Sequence, residues 1–274
     1  MTIKGTTLAA LAAAGLAMLS APAMAISTWN VSSCSQSGSS AGNSYTGCSS
    51  GSGNPTAVAN AFSTTGSGSA FATATLASYS GGFGVTAAGE STNSPQHSMD
   101  NSTYTDAILL SFTSSVILKQ LTIGWAAYDS DFTLLRYTGS SAPSITGKNF
   151  SSLLSSGWSA VGSYMNTMAN PAQNDNGTTA NATANVNSGG LSSSWWLISA
   201  YNSSYSAPVV GGSTDSTSDY IKLLSVAGDK QTTAGKVAEP GSMALVVAAL
   251  GGLWFSRRRL SKVSLPRLAP TLAA

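Results

Sequence analysis

Between residues 106 and 137 three short apolar segments follow one another too closely for helices to separate them. Ala107-Ile108-Leu109-Leu110-Ser111-Phe112 is an unbroken run, residues 116–125 partly alternate, and Phe132-Thr133-Leu134-Leu135-Arg136-Tyr137 stops before Gly139. Each is β-branched or aromatic and bounded by Ser, Asp or Gly, which marks strands. Residues 70–79, 194–201 and 219–226 show similar patterns. Strands at this spacing predict an all-β, antiparallel β-sandwich or jelly-roll-like domain. One segment differs. Residues 149–168 place Phe150, Leu153, Leu154, Trp158, Val161 and Met165 at helical intervals, so a short helix is expected there, weakened by Gly157 and Gly162.

The chain around these strands is nearly uncharged. Only 22 of 274 residues are charged, whereas 121 are Ser, Thr, Gly or Asn. A typical soluble domain carries about 25% charge, so acidic tails, basic nucleic-acid fields and Lys/Glu-rich coiled coils are excluded. The formal +2 belongs to the chain ends. Residues 26–236 hold six cations and nine acids, a balance of −3. No nucleic-acid partner is expected.

Both ends read as addresses. Residues 1–25 carry Lys4, an apolar run over 8–19, Pro22 and Ala23-Met24-Ala25, a secretory signal cut after Ala25 by signal peptidase following Sec export. The run of twelve is short of the ~20 residues that span a bilayer, which disfavours an uncleaved anchor. At the other end Glu239-Pro240-Gly241 precedes an apolar run over 243–255 and then Arg257-Arg258-Arg259. The arginines orient the segment with the body outside. Thirteen residues rise about 20 Å as a helix, short of a ~30 Å hydrocarbon core, which suits transient inner-membrane anchoring. A GPI tail would end without a cationic stop, and a plain single-pass anchor is the remaining alternative.

This order of motif, transmembrane helix and arginines resembles the PEP-CTERM sorting signal of Gram-negative bacteria, which an exosortase, a membrane-embedded cysteine protease, is thought to process. The matching positions are Glu239, Pro240, Gly241, residues 243–255, and Arg257, Arg258 and Arg259, within a signal over 237–262. Ala238 stands where a first proline is usual, and a polar tail over 263–274 extends the end of the chain. Residues 95–101, 121–139, 196–201 and 219–228 are also similar to an exosortase-dependent surface-protein family. The resemblance implies an exported, non-enzymatic protein of the cell surface, biofilm or extracellular matrix, and it brings no catalytic residue and no cofactor.

Within the exported body, residues 26–69 are rich in Ser, Gly and Asn and expected to be partly irregular, with Cys34 and Cys48 joined as a disulfide. His97 is the sole histidine, so a Ser-His-Asp triad would have to pass through it, and no nucleophile-elbow motif accompanies it. Asp129 and Asp131 are the first Ca²⁺ candidates, with Asp100, Asp106, Asp215 and Asp219 as other loop acids. Trp195 and Trp196 are candidates for stacking on sugar rings. Adjacent strand residues face opposite sides, so at most one of the pair is core while the other is exposed. Two alternatives to the matrix-protein reading therefore stand: a carbohydrate-binding module recognising exopolysaccharide, and a secreted hydrolase.

Overall fold

The structure is a computed structural model and describes residues 26–36, 44–65 and 70–231. The signal peptide, Ala25, and the sorting residues Glu239, Pro240, Gly241, Arg257, Arg258 and Arg259 lie outside the described residues, as does the apolar run over 243–255. Among the described residues no helix is long and apolar enough to cross a membrane.

The chain is all-β. Fifteen strands run in the order β1 (Ser27–Asn30), β2 (Ser35–Gln36), β3 (Ser44–Cys48), β4 (Ala57–Thr64), β5 (Phe71–Thr73), β6 (Thr75–Tyr79), β7 (Gly82–Thr86), β8 (Met99–Asp100), β9 (Asp106–Tyr128), β10 (Phe132–Tyr137), β11 (Trp158–Tyr164), β12 (Thr178–Asn185), β13 (Ser193–Ala200), β14 (Val209–Val210) and β15 (Asp219–Lys230). Among the described residues a single α-helical turn, α1 (Phe150–Leu154), sits between β10 and β11. Every strand ladder is antiparallel except that of β11 with β14.

Strand β9 organises the rest because its two halves have different neighbours. Residues 106–112 lie between β4 and β13, with Ile108 opposite both Ala61 and Ile198. Its remainder lies between β12 and β15, with Leu121 opposite both Ala184 and Val226. The first wing continues from β13 to β10, β11 and β14, and the second from β15 to β7 and β6. Side chains from both wings meet in one core that includes Leu110, Trp196 and Phe132 from the first and Ile123, Leu223 and Phe83 from the second.

The first wing is also covered on its outer face. Leu109, Leu135 and Leu197 point away from the main core into a second cluster with Phe71, Phe150 and Leu153. Burial on both faces explains why the β9 and β13 sequences read as continuous apolar runs there. In the second wing Val116 and Leu118, then Leu121 and Ile123, enter the same core despite the odd step between the pairs. One extra β9 residue, Lys119, between the Leu118–Gly228 and Gln120–Ala227 pairs, resets the alternation.

The helix expected over 149–168 is realised only as α1. Asn149 caps it, its side chain accepting from the Ser152 N–H while the Ser152 hydroxyl accepts from the Asn149 N–H. Gly157, at φ +96°, ends the turn. From Trp158 the chain pairs with β10, where Val161 and Gly162 fit an extended ladder better than a helix.

The first third of the body is more regular than its composition suggests. Strand β4 alternates buried Ala57, Ala59 and Ala61 against β9, and β3 pairs with β4 in turn. The Cys34–Cys48 disulfide forms, linking the segment after β1 to the end of β3.

Candidate functional site

Seven of the nine acids between residues 26 and 236 gather in two neighbouring groups, although they come from five separate stretches of chain. Among the described residues the one ion pair is elsewhere, between Lys119 and Asp229.

The first group forms where β9 turns into β10 and β15 begins. Carboxylate oxygens of Asp129, Asp131 and Asp215 lie within 4.8 Å of one another. Asp219 accepts from the Asp131 N–H at 2.6 Å and from Asn101 Nδ2 at 2.6 Å, while its own N–H donates to Asn101 Oδ1. Asp131 accepts from the Asn166 N–H, Asp129 from the Ser130 N–H and Asp215 from the Thr217 N–H. Burial, then neighbouring acids, pushes the Asp131 carboxyl up to about 6. Burial and the Asp131 charge push Asp219 well above the usual range. The structure thus brings the two sequence candidates together with Asp215 and Asp219. Their hydrogen bonds are those of a built turn: each aspartate accepts a backbone N–H or holds an asparagine.

The second group is Glu90, Asp100 and Asp106, whose carboxylate oxygens also lie within 4.8 Å of one another. Glu90 stands on the turn after β7, where it accepts from the Ala87 N–H at 3.0 Å. Asp100 is placed by the pairing of β8 with β15, and Asp106 by the pairing of β9 with β4 opposite Ser63. The side chains of Asp100 and Asp106 are fully buried. Asp100 Oδ1 accepts from the Ser102 N–H and Asp106 Oδ2 from the Asp100 N–H, but Asp100 Oδ2 and Asp106 Oδ1 have no hydrogen-bond partner. Burial, then the charges of Asp106 and Glu90, pushes Asp100 up to about 9. Burial pushes Asp106 well above the usual range, opposed by the Ser63 hydroxyl. Sequence reading named both aspartates only as loop acids and did not name Glu90, the sole glutamate of the body.

Among the described residues His97 hydrogen-bonds to no serine side chain. Its Nε2 is 2.8 Å from Lys222 Nζ, its Nδ1 has no partner, and its ring packs on Tyr79. Lys222 lies over the Trp125 ring at 4.1 Å. Burial pushes the His97 imidazole down, and burial pushes the Lys222 ammonium down to about 8.

The two tryptophans of β13 part as alternation requires. Trp196 is fully buried in the main core, its Nε1–H donating to the Ser193 carbonyl. Trp195 is half-buried on the opposite face, edge-on to Tyr137 at 5.8 Å. It lines a polar cleft of about 370 Å³ with Arg136, Tyr137 and Ser192. The Arg136 guanidinium donates to the Ser192 carbonyl through Nη1, while its Nε has no partner. Sequence reading missed Arg136 and Tyr137 as cleft residues. The signal for Tyr137 was the alternation of β10, which sends it to the same side as Leu135, whereas Arg136 pairs opposite Trp196 and carried no such signal.

Comparison with known proteins finds no matching family model, no similar curated protein and no similar solved structure.

Proposed function

We propose that this chain is an exported, non-enzymatic protein of the cell surface or extracellular matrix, delivered by signal peptidase and the Sec machinery and sorted by an exosortase-type system. The observation that carries the reading is the Cys34–Cys48 disulfide. It uses every cysteine in the chain, and such bonds form and persist in oxidising, extracytoplasmic spaces. The disulfide-bearing body stands between two segments that read as export and sorting signals. We read the two wings joined by β9 as the layers of an antiparallel, jelly-roll-like sandwich, a reading that their shared core supports. Its weakly charged, hydroxyl-rich surface suits a hydrated polysaccharide setting and offers many Ser and Thr as glycosylation acceptors.

A second reading, carbohydrate binding, draws support from the Trp195 cleft. A half-buried indole beside a tyrosine, in a polar cleft, offers an apolar face on which a sugar ring can stack. Deleting residues 237–274 tests the leading reading. The body is then expected to accumulate in the periplasm, and unchanged surface display defeats the sorting claim. Polysaccharide pull-down tests the second: binding lost in Trp195→Ala but kept by wild type supports it, and no binding by wild type rejects it.

A further inference from the structure

We propose that Glu90, Asp100 and Asp106 form a calcium-binding site. The proposal is independent of the sorting reading and would hold for any exported form of the chain.

The three side chains come from three elements: the turn after β7, strand β8 and the first residue of β9. Two oxygens bound to one Ca²⁺ at about 2.4 Å can stand no more than about 4.8 Å apart. One oxygen from each of these carboxylates satisfies that limit against both others. Proximity of acids alone would not suffice, since Asp129, Asp131 and Asp215 are as close. The difference lies in the lone pairs. In both groups each carboxylate accepts a backbone N–H, but no oxygen of the first group is both enclosed and without a partner. In the second, Asp100 Oδ2 and Asp106 Oδ1 are buried and have no hydrogen-bond partner, although the Ser63 hydroxyl stands near enough to Asp106 to favour its charged form, and both side chains are 0% exposed. A buried acceptor left without a partner is costly, and a buried carboxylate without a counter-charge more so. No lysine or arginine among the described residues forms an ion pair with either aspartate.

A cation shared by the three carboxylates removes both costs together. The chemistry selects a hard ion, because the donors are all oxygen. The cysteines are tied in a disulfide, and His97 Nε2 is engaged by Lys222. Three carboxylates supply up to six oxygens of the six to eight that Ca²⁺ takes, in an irregular arrangement Ca²⁺ tolerates better than Mg²⁺. Glu90 is half-buried, so it gives the ion a route from solvent to the two enclosed aspartates. Calcium-binding modules of extracellular proteins work at affinities on the order of 10⁻⁴ to 10⁻³ M, matched to the compartment proposed for this chain.

The test uses the purified exported protein, stripped with chelator and titrated with calcium chloride alone at neutral pH. Calorimetry is expected to find one ion per chain. About 10 mM calcium chloride should raise Tm by roughly 5–10 °C over the chelated protein, and magnesium chloride by less. Asp106→Asn should abolish the rise, and in chelator it should be about as stable as wild type, because the amide replaces a buried carboxyl that burial already holds toward its neutral form. Should Asp106→Asn fail to fold, Glu90→Gln serves, at a half-exposed turn where folding is secure, with affinity expected to fall at least tenfold. Asp129→Asn should keep the full calcium response. The proposal is overturned by wild type showing neither heat nor a Tm change with calcium. It is equally overturned by magnesium matching calcium, by Glu90→Gln binding as wild type does, or by Asp129→Asn alone losing the response.

Discussion

Removing the Cys34–Cys48 bond should cost this protein about 3 kcal/mol, and the structure says where. The cysteines are 14 positions apart, and closing a loop of this length restricts the unfolded chain by about that amount. In the folded state the loop holds the β2–β3 ribbon, Ser35 opposite Thr46 and Gln36 opposite Tyr45, which is attached to the body through β3 and β4. Cys48 is itself buried in the main core with Trp29 and Val31, so alanine is the right replacement: serine would bury a hydroxyl as well. For a domain of this size each kcal/mol shifts Tm by about 2–4 °C, which puts the Cys34→Ala/Cys48→Ala variant roughly 6–12 °C below wild type. Thermal unfolding followed by circular dichroism, with and without reductant, reads this directly. Reductant should bring wild type down to the variant and leave the variant unmoved. A variant melting within 2 °C of oxidised wild type, at the resolution expected of ~1 kcal/mol, or a variant that reductant still destabilises, refutes the reasoning.

Trp196→Ala should destabilise by about 3–5 kcal/mol, since it empties a fully buried site. Trp195→Ala, on the half-buried cleft face, should cost clearly less in the same denaturant titration, and equal losses would mean that the two rings are not on opposite faces. Gly82→Ala should cost more than about 1 kcal/mol, because Gly82 has φ +121° and an added Cβ would sit 2.3 Å from the Leu223 carbonyl oxygen; an unchanged denaturation midpoint contradicts the close approach of β7 to β15. Lys222 carries a pH signature. Its folded value is depressed to about 8 while an unfolded lysine titrates near ~10.4. Between those values the unfolded chain holds a proton that the folded chain has released, so its contribution makes stability rise with pH across that window. Lys222→Met should remove the rise, and parallel midpoint-versus-pH curves for the two proteins would show that the ammonium is not desolvated.

Much of the strand content was legible because apolar patterning follows burial. Residues 132–137, 194–201 and 219–226 coincide closely with β10, β13 and β15. The segments at 107–112 and 116–125 were legible as strands but not as one strand. Thr113, Ser114 and Ser115 stay extended while the pairing partners change, and a partner change leaves no mark on residue type. Strand β12 was invisible for the opposite reason. Thr178–Asn185 contains no large apolar residue and is an edge strand, held by backbone pairing to β9 and by contacts such as Thr122 with Thr183 at 2.9 Å. Helical spacing misled over residues 158–164 because β10 offered an open edge that a five-residue helix could not satisfy.

The acidic sites divide in the same way. Asp129 and Asp131 were found because a strand-turn-strand pattern brackets them locally. Glu90, Asp100 and Asp106 converge only through non-local pairings, β8 with β15 and β9 with β4, and no spacing rule in one sequence reports such a meeting. The tryptophan pair was readable in its alternation, but the partners of Trp195, Arg136 and Tyr137, come from the neighbouring strand β10.

The central claim is export with processing at both ends, and intact mass spectrometry of the protein recovered from the cell surface tests it most directly. The account predicts a chain beginning at Ile26, oxidised at Cys34 and Cys48, and ending near Glu239 without Arg257, Arg258 and Arg259. A protein found only inside the cell, with its first 25 residues, its arginines and two reduced cysteines, would contradict it.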